Sequence, residues 1–219
     1  TLNSGTNNML VYVDFFDSNT GLVIGSPGTV LRTENAGKTW DKIDIGMSVN
    51  LSTVNFVTKD LVFISGDNGL ILKSIDSGKT WDTMTTNVST MLYSVNFPTI
   101  NIGYAAGIGG VIIKTTDSGK TWSKQSNPIS NHIYRIFFLN KDTGYVAGRD
   151  GNIGRTYNGG QTWTKLASGT STLLNYINFK NKNNGLAVGD DGLIISTTDG
   201  GTSWKNVNSG TNLLLNCVK

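Results

Sequence analysis

The sequence predicts an all-β fold, a β-propeller of 41-residue four-stranded blades, from three observations. The five tryptophans, Trp40, Trp81, Trp122, Trp163 and Trp204, are the only ones in 219 residues, and each lies 41 residues from the next. Each closes a turn of one recurring form, Ser/Thr-x-Asp/Asn-x-Gly-x-Thr/Ser-Trp. Between the turns the apolar residues come in short runs suited to strands, and no segment sustains helical periodicity. A unit this short hides its apolar face only by stacking on its neighbours. Radial repetition of four-stranded sheets does this while leaving short, protected edges.

The first strand of each unit carries the columns Leu10, Leu51, Leu92, Ile133, Leu174; then Val13, Val54, Val95, Ile136, Ile177; then Phe15, Phe56, Phe97, Phe138, Phe179. The last two columns are two residues apart, as one face of a strand requires. The second strand ends at a glycine column, Gly25, Gly66, Gly107, Gly148 and Gly189, and a turn closes on Gly28, Gly69, Gly110, Gly151 and Gly192. Paired glycine columns around two residues predict a hairpin with φ > 0. The third strand runs through Val30-Leu31, Ile71-Leu72, Ile112-Ile113, Ile153 and Ile194-Ile195, and the fourth starts at each tryptophan. Pro27, Pro98 and Pro128, the only prolines, fall in loops.

The turn motif matches the Asp-box in five copies, carried by Asn35, Asp76, Asp117, Asn158 and Asp199 with Trp40, Trp81, Trp122, Trp163 and Trp204. Its chemistry is local: the Asp or Asn accepts turn N–H groups, the glycine takes a conformation closed to other residues, and the indole buries apolar area under the turn. These residues are therefore expected to be structural. Around the box, Ser168-Gly169-Thr170, Asn178-Phe179, Asn184-Gly185-Leu186-Ala187-Val188-Gly189, Gly192-Leu193-Ile194-Ile195 and Thr198-Asp199-Gly200-Gly201 resemble the photosystem II stability/assembly factor family of BNR/Asp-box propellers. The resemblance covers the whole chain. It implies a non-catalytic scaffold for a protein partner in an exported setting, periplasmic, lumenal or extracellular. No residue of that family's basic patch is carried over.

Sialidases share the box, but their chemistry needs an arginine triad, a Tyr–Glu pair and an acidic Asp. This chain has one glutamate, Glu34, inside a box turn. Arg32 and Arg155 share a column with Lys73 and Lys114, which reads as a repeated structural charge, leaving Arg135 and Arg149. No catalytic residue is assigned, and carbohydrate binding or glycoside hydrolysis at the mouth of the propeller stands as the alternative. His132 and Cys217 are the only histidine and cysteine, so a His/Cys zinc site and an internal disulfide are excluded, and no metal or cofactor is expected.

Charged residues make up 15% of the chain and net charge is +3 without Lys/Arg blocks, which argues against nucleic-acid binding. No apolar run is long enough to span a membrane as a helix. Thr1 opens directly in repeat sequence without a signal peptide, as expected of a processed or excised form.

The repeat units are placed at 1–41, 42–82, 83–123, 124–164 and 165–205, in one propeller domain spanning 1–219. Residues 206–219 repeat the register of 1–14, with Leu215 matching Leu10 and Val218 matching Val13. They are expected to form one extra strand, which begins a further blade or exchanges with another chain to form an oligomer. The repeat columns diverge most at the turn between second and third strands, and loops carry function. That turn lies at the same end of an antiparallel blade as the start of the first strand. The candidate binding face is therefore Asp67, His132, Tyr134, Arg135, Arg149, Asp150, Asp190 and Asp191.

Overall fold

The computed structural model describes residues 3–218. They form twenty strands in five four-stranded sheets, with four one-turn 3₁₀ segments and no α-helix among the described residues. The first sheet contains β1 (Met9–Phe15), β2 (Gly21–Ser26), β3 (Thr29–Thr33) and β4 (Asp41–Ile43). The second contains β5 (Leu51–Phe56), β6 (Val62–Gly66), β7 (Ile71–Ser74) and β8 (Asp82–Met84). The third has β9 (Leu92–Asn96), β10 (Gly103–Gly107), β11 (Ile112–Thr115) and β12 (Ser123–Lys124). The fourth has β13 (Ile133–Phe138), β14 (Gly144–Gly148), β15 (Ile153–Thr156) and β16 (Thr164–Leu166). The fifth has β17 (Leu174–Phe179), β18 (Gly185–Gly189), β19 (Ile194–Thr197) and β20 (Lys205–Val207). Strand order follows the chain in every sheet, the antiparallel meander of a propeller blade.

The chain gathers into two compact units divided within the third repeat: residues up to 103 with 115–123, and 104–114 with 124 onward. In the first, Leu22, Ile24 and Val30 pack with Leu51, Val54, Val62, Ile64 and Leu72, so the core lies between the first and second sheets. In the second, Tyr145, Ala147 and Ile153 pack with Leu174, Ile177, Phe179, Ala187 and Ile195, between the fourth and fifth.

One spacing in the first strand is odd for a β face, three residues from Leu174 to Ile177, yet both side chains are fully buried. The register shifts between Leu174 and Tyr176, and likewise between Leu51 and Thr53 and between Ile133 and Arg135. Such a bulge absorbs one residue and returns the third to the same face.

The paired glycines differ from expectation. Gly148 and Gly189 at the end of the second strand are extended, with φ of −175° and −162°. What they supply is space: a Cβ would lie 2.0 Å from the His132 carbonyl oxygen and 1.9 Å from that of Leu173. Positive φ falls later, at Asp150 (57°) and Gly151 (64°) in the fourth sheet, inside a 3₁₀ turn that replaces the expected two-residue hairpin.

The sheets are also slightly out of phase with the repeat units. Each fourth strand starts one residue after its tryptophan and runs across the unit boundary, so Asn206 and Val207 complete the fifth sheet. The extra C-terminal segment is thus 208–218; Lys219, and Thr1 and Leu2 at the other end, lie outside the described residues. The segment lies against the fifth sheet: Leu215 N–H donates to the Gly189 carbonyl, and the Asn175 and Asn178 amides donate to the carbonyls of Leu215 and Val218. Ser52, in the same column as Asn175, donates to the Tyr93 carbonyl 41 residues on, whereas Asn175 reaches Leu215 40 residues on, so the segment sits one residue out of the repeat register. The segment therefore takes a first-strand position without the second strand that would give it a ladder.

Candidate functional site

The box turn is a closed hydrogen-bond circuit. Thr115 Oγ1 donates to Asp117 Oδ1 (2.8 Å) and accepts the Gly119 N–H (3.0 Å). Asp117 Oδ1 accepts the Thr121 N–H at 2.9 Å and Oδ2 accepts the Thr121 hydroxyl at 2.6 Å. The Thr121 hydroxyl and N–H, with the Thr115 hydroxyl, hold the Asp117 carboxyl at about 2; Ser203 and Thr197 hold Asp199 there in the same way. Asn35 and Asn158 complete the same circuit as neutral amides, their Nδ2 donating to Thr39 and Thr162 hydroxyls. The same hydrogen-bond partners are thus held with and without charge at this position. The Trp122 indole N–H donates to the Gly119 carbonyl (3.1 Å), and its ring meets Phe97 edge-on at 5.8 Å.

Sequence reasoning saw the third-strand cations but missed their target. Arg32 Nε donates to the Ser77 carbonyl (2.8 Å) and Lys73 Nζ to that of Ser118 (2.9 Å). Lys114 Nζ and Arg155 Nη1 donate to the carbonyls of Gly159 and Gly200, both at 2.7 Å. Every cation thus grips the box turn 45 residues on, fastening one repeat to the next. The signal was there as a constant offset between two columns. The buried phenols of Tyr104 and Tyr145 add bonds to the same Gly159 and Gly200 carbonyls, and burial pushes both up to about 12.

The expected face divides into exposed and interior residues. In the fourth sheet His132, Arg149 and Asp150 meet at one end: Arg149 N–H donates to the His132 carbonyl, and Asn131 Nδ2 donates to Asp150. The Arg149 Nε lies 3.7 Å from the Asp150 carboxylate with both side chains exposed. His132 Nδ1 accepts the Gly109 N–H (3.2 Å), and its ring stands edge-on to Tyr134. Arg135 is not on that surface: it is 9% exposed, with its guanidinium 4.2 Å from the Tyr176 ring centroid. In the fifth sheet Asp190 accepts Asn175 Nδ2 at 3.1 Å and Asp191 sits at φ 55°. Asp67, in the first unit, is bound by the Asn50 N–H and amide. Asp150 and Asp191 share the left-handed position with Asn68 and Gly109, residue types that adopt it readily, so part of the divergence at this turn is backbone chemistry.

Among the described residues no three His, Cys, Asp or Glu side chains gather as metal ligands, and no helix is long and apolar enough to cross a membrane. At these turns Arg149, Asp150 and Asp191 are exposed and of mixed sign, while Asp67 and Asp190 are half-buried.

No curated protein matches the chain. Among solved structures it is similar to YCF48 from Cyanidioschyzon merolae (16% identity, TM-score 0.54, covering 97% of this chain and 88% of that one). It is also similar to YCF48 bound to D1 peptide (16% identity, TM-score 0.53, 94% and 82%). An ancestral GH74 enzyme superposes more closely (TM-score 0.80) at 15% identity, over 97% of this chain and 33% of the enzyme. At such identities these likenesses establish the fold. The sequence family described as photosynthesis system II assembly factor YCF48 matches residues 1–88, 46–116 and 89–157, well over half of the chain. The chain is a member of that family.

Proposed function

We propose that the chain is a non-catalytic scaffold that binds a protein partner through the turns between second and third strands of its fourth and fifth blades. The observation that carries this reading is the exposed pair Arg149 and Asp150 beside half-buried His132, with Asp190 and Asp191 at the equivalent turn of the next blade. Mixed charges at the tips of a rigid sheet scaffold suit directional contacts with a polypeptide, which electrostatic complementarity selects. Family membership supports it, and a relative bound to D1 peptide supports a polypeptide ligand. The absence of a second glutamate and the interior position of Arg135 weigh against sialidase-type hydrolysis. The exported setting implied by the family is part of the same proposal.

The test is affinity capture with the wild-type chain and an Arg149→Ala/Asp190→Ala variant, beside a glycan array. A protein retained by the wild type and lost by the variant, with no glycan bound, supports the scaffold. Glycan binding that the variant abolishes, without a protein partner, overturns it.

A further inference from the structure

The loop that leaves the third sheet takes a course that the other repeats do not share. Gly46, Asn87, Gly169 and Gly210 hold one column of this loop, all with φ between 57° and 77°. Pro128 fills that column in the third repeat, and its ring fixes φ at about −65°, so the backbone must run differently there. Asn127 holds the new course: its Nδ2 donates to the Gly110 carbonyl and its Oδ1 accepts the Ile129 N–H, both at 2.9 Å. Ile129 is thereby buried, whereas Val88 and Thr170 in its column are half-buried. It enters the space left by Gly154, the glycine in a column of Leu31, Leu72, Ile113 and Ile195: a Cβ at 154 would lie 2.6 Å from Ile129 Cδ1. Pro128, Ile129 and Gly154 are thus one matched set, and the loop is redirected and packed down.

Beside it opens a groove of about 360 Å³ lined by Ser126, Asn127, Pro128, Gln161, Thr162 and Trp163. No lining residue is charged, and Gln161 stands in the column of Lys38, Lys79 and Lys120. The box turn adds a donor. In the aspartate boxes the Thr121 and Ser203 hydroxyls give their protons to Asp117 and Asp199. In the fourth box Asn158 Nδ2 donates to Thr162 Oγ1 at 2.9 Å, which leaves the Thr162 O–H to donate elsewhere.

We infer that this groove holds a short uncharged segment of the polypeptide partner, gripped through its main chain. The inference rests on the reading of the chain as a protein-binding scaffold, and it adds a contact that shares no residue with the turns at Arg149 and Asp190. Each peptide group carries one donor and one acceptor, and the Gln161 carboxamide offers both in return, with the Ser126 and Thr162 hydroxyls beside it. A charged side chain would lose hydration against these walls without gaining a partner. Trp163 is 7% exposed, too little open ring for a sugar to stack on, and with the Pro128 ring it offers a small apolar contact to an aliphatic side chain. Because the loop is already packed, binding costs little ordering on this side.

An array of random capped hexapeptides tests the inference. The wild-type chain retains peptides with an uncharged core, and one such peptide in solution moves the amide resonances of Ser126, Asn127, Gln161 and Thr162. Gln161→Lys restores the lysine of the other boxes and weakens binding about tenfold, since it sets an unpaired ammonium against the peptide. Asn158→Asp rebuilds the box of Asp117 and Asp199, reclaims the Thr162 proton and costs about threefold. Thermal melts verify that both variants fold, and Ser126→Lys replaces Gln161→Lys should its melt shift. Arg149→Ala/Asp190→Ala leaves peptide binding at the groove intact, so loss of partner capture in that variant and loss of peptide binding in Gln161→Lys are read separately. No retained peptide, a preference for charged ones, binding that survives Gln161→Lys, or groove resonances that move with neutral disaccharides and not with peptides overturns the inference while leaving the capture result at Arg149 untouched.

Discussion

β1 and β13 carry the same apolar pattern in opposite surroundings. Ile133, Ile136 and Phe138 are 1%, 0% and 5% exposed, whereas Leu10, Val13 and Phe15, in the same columns, are 38%, 48% and 39% exposed. Both are strands, and both pair with the following strand through a ladder of similar length. The difference is that an earlier repeat covers β13. Strand formation is thus a property of the unit, while burial belongs to the contact between units, as expected for a repeat array.

That comparison breaks most directly at the phenylalanine column. Phe138→Ala should cost about 3–5 kcal/mol, since its ring is almost fully buried, and Phe15→Ala about 1–2 kcal/mol, since its ring is already 39% exposed. Urea melts of the two variants check this, and equal losses would show that burial at this column does not come from the preceding repeat.

The cation column sharpens it at a smaller scale. Lys114→Met should cost about 1 kcal/mol, the worth of one hydrogen bond from a half-buried ammonium to the Gly159 carbonyl. Ser196→Lys, in the same column, should leave stability within about 0.5 kcal/mol, as surface changes generally do. A stabilised variant would mean that the new lysine finds a box carbonyl.

The smallest expected effect distinguishes the boxes by pH. The Asp117 and Asp199 carboxyls are held at about 2, below the 3.8 of an unstructured Asp. A lowered folded-state value means that their contribution is full above the unstructured value and is lost as pH falls from there toward about 2. Asn35 and Asn158 make the same circuit and do not titrate. Asp117→Asn should therefore be close to neutral at pH 7 and flatten the loss of stability on acidification, read from thermal melts at pH 7, 4 and 2.5. An unchanged acid slope would mean that the box carboxylates are not the acid-sensitive groups.

The candidate face was only partly legible. Reading divergence between columns located the turn at His132, Arg149 and Asp150, and antiparallel pairing placed it beside the start of the first strand, as the Arg149 to His132 bond shows. The same reading put Arg135 on the surface because strand position alone does not say whether a neighbouring Tyr176 covers a guanidinium. It also took Asp150 and Asp191 as variable by function, when their φ angles of 57° and 55° already favour Asp, Asn or Gly.

The sequence by itself determined the period, the four strands of each unit and the residues that make the box turn. Those depend on contacts within a few residues or on a pattern repeated five times. Only the tertiary structure decided which columns face a neighbour and which face water. A bulge at Leu174/Tyr176 re-aims a strand without leaving a mark in composition, and glycine at 148 is required by a carbonyl sixteen residues away, not by its own φ. The Arg32, Lys73, Lys114 and Arg155 side chains likewise acquire a role only when the next box turn is brought within 3 Å of them. Leu186 shows the same dependence in reverse: its sequence column calls for burial, yet it is 37% exposed.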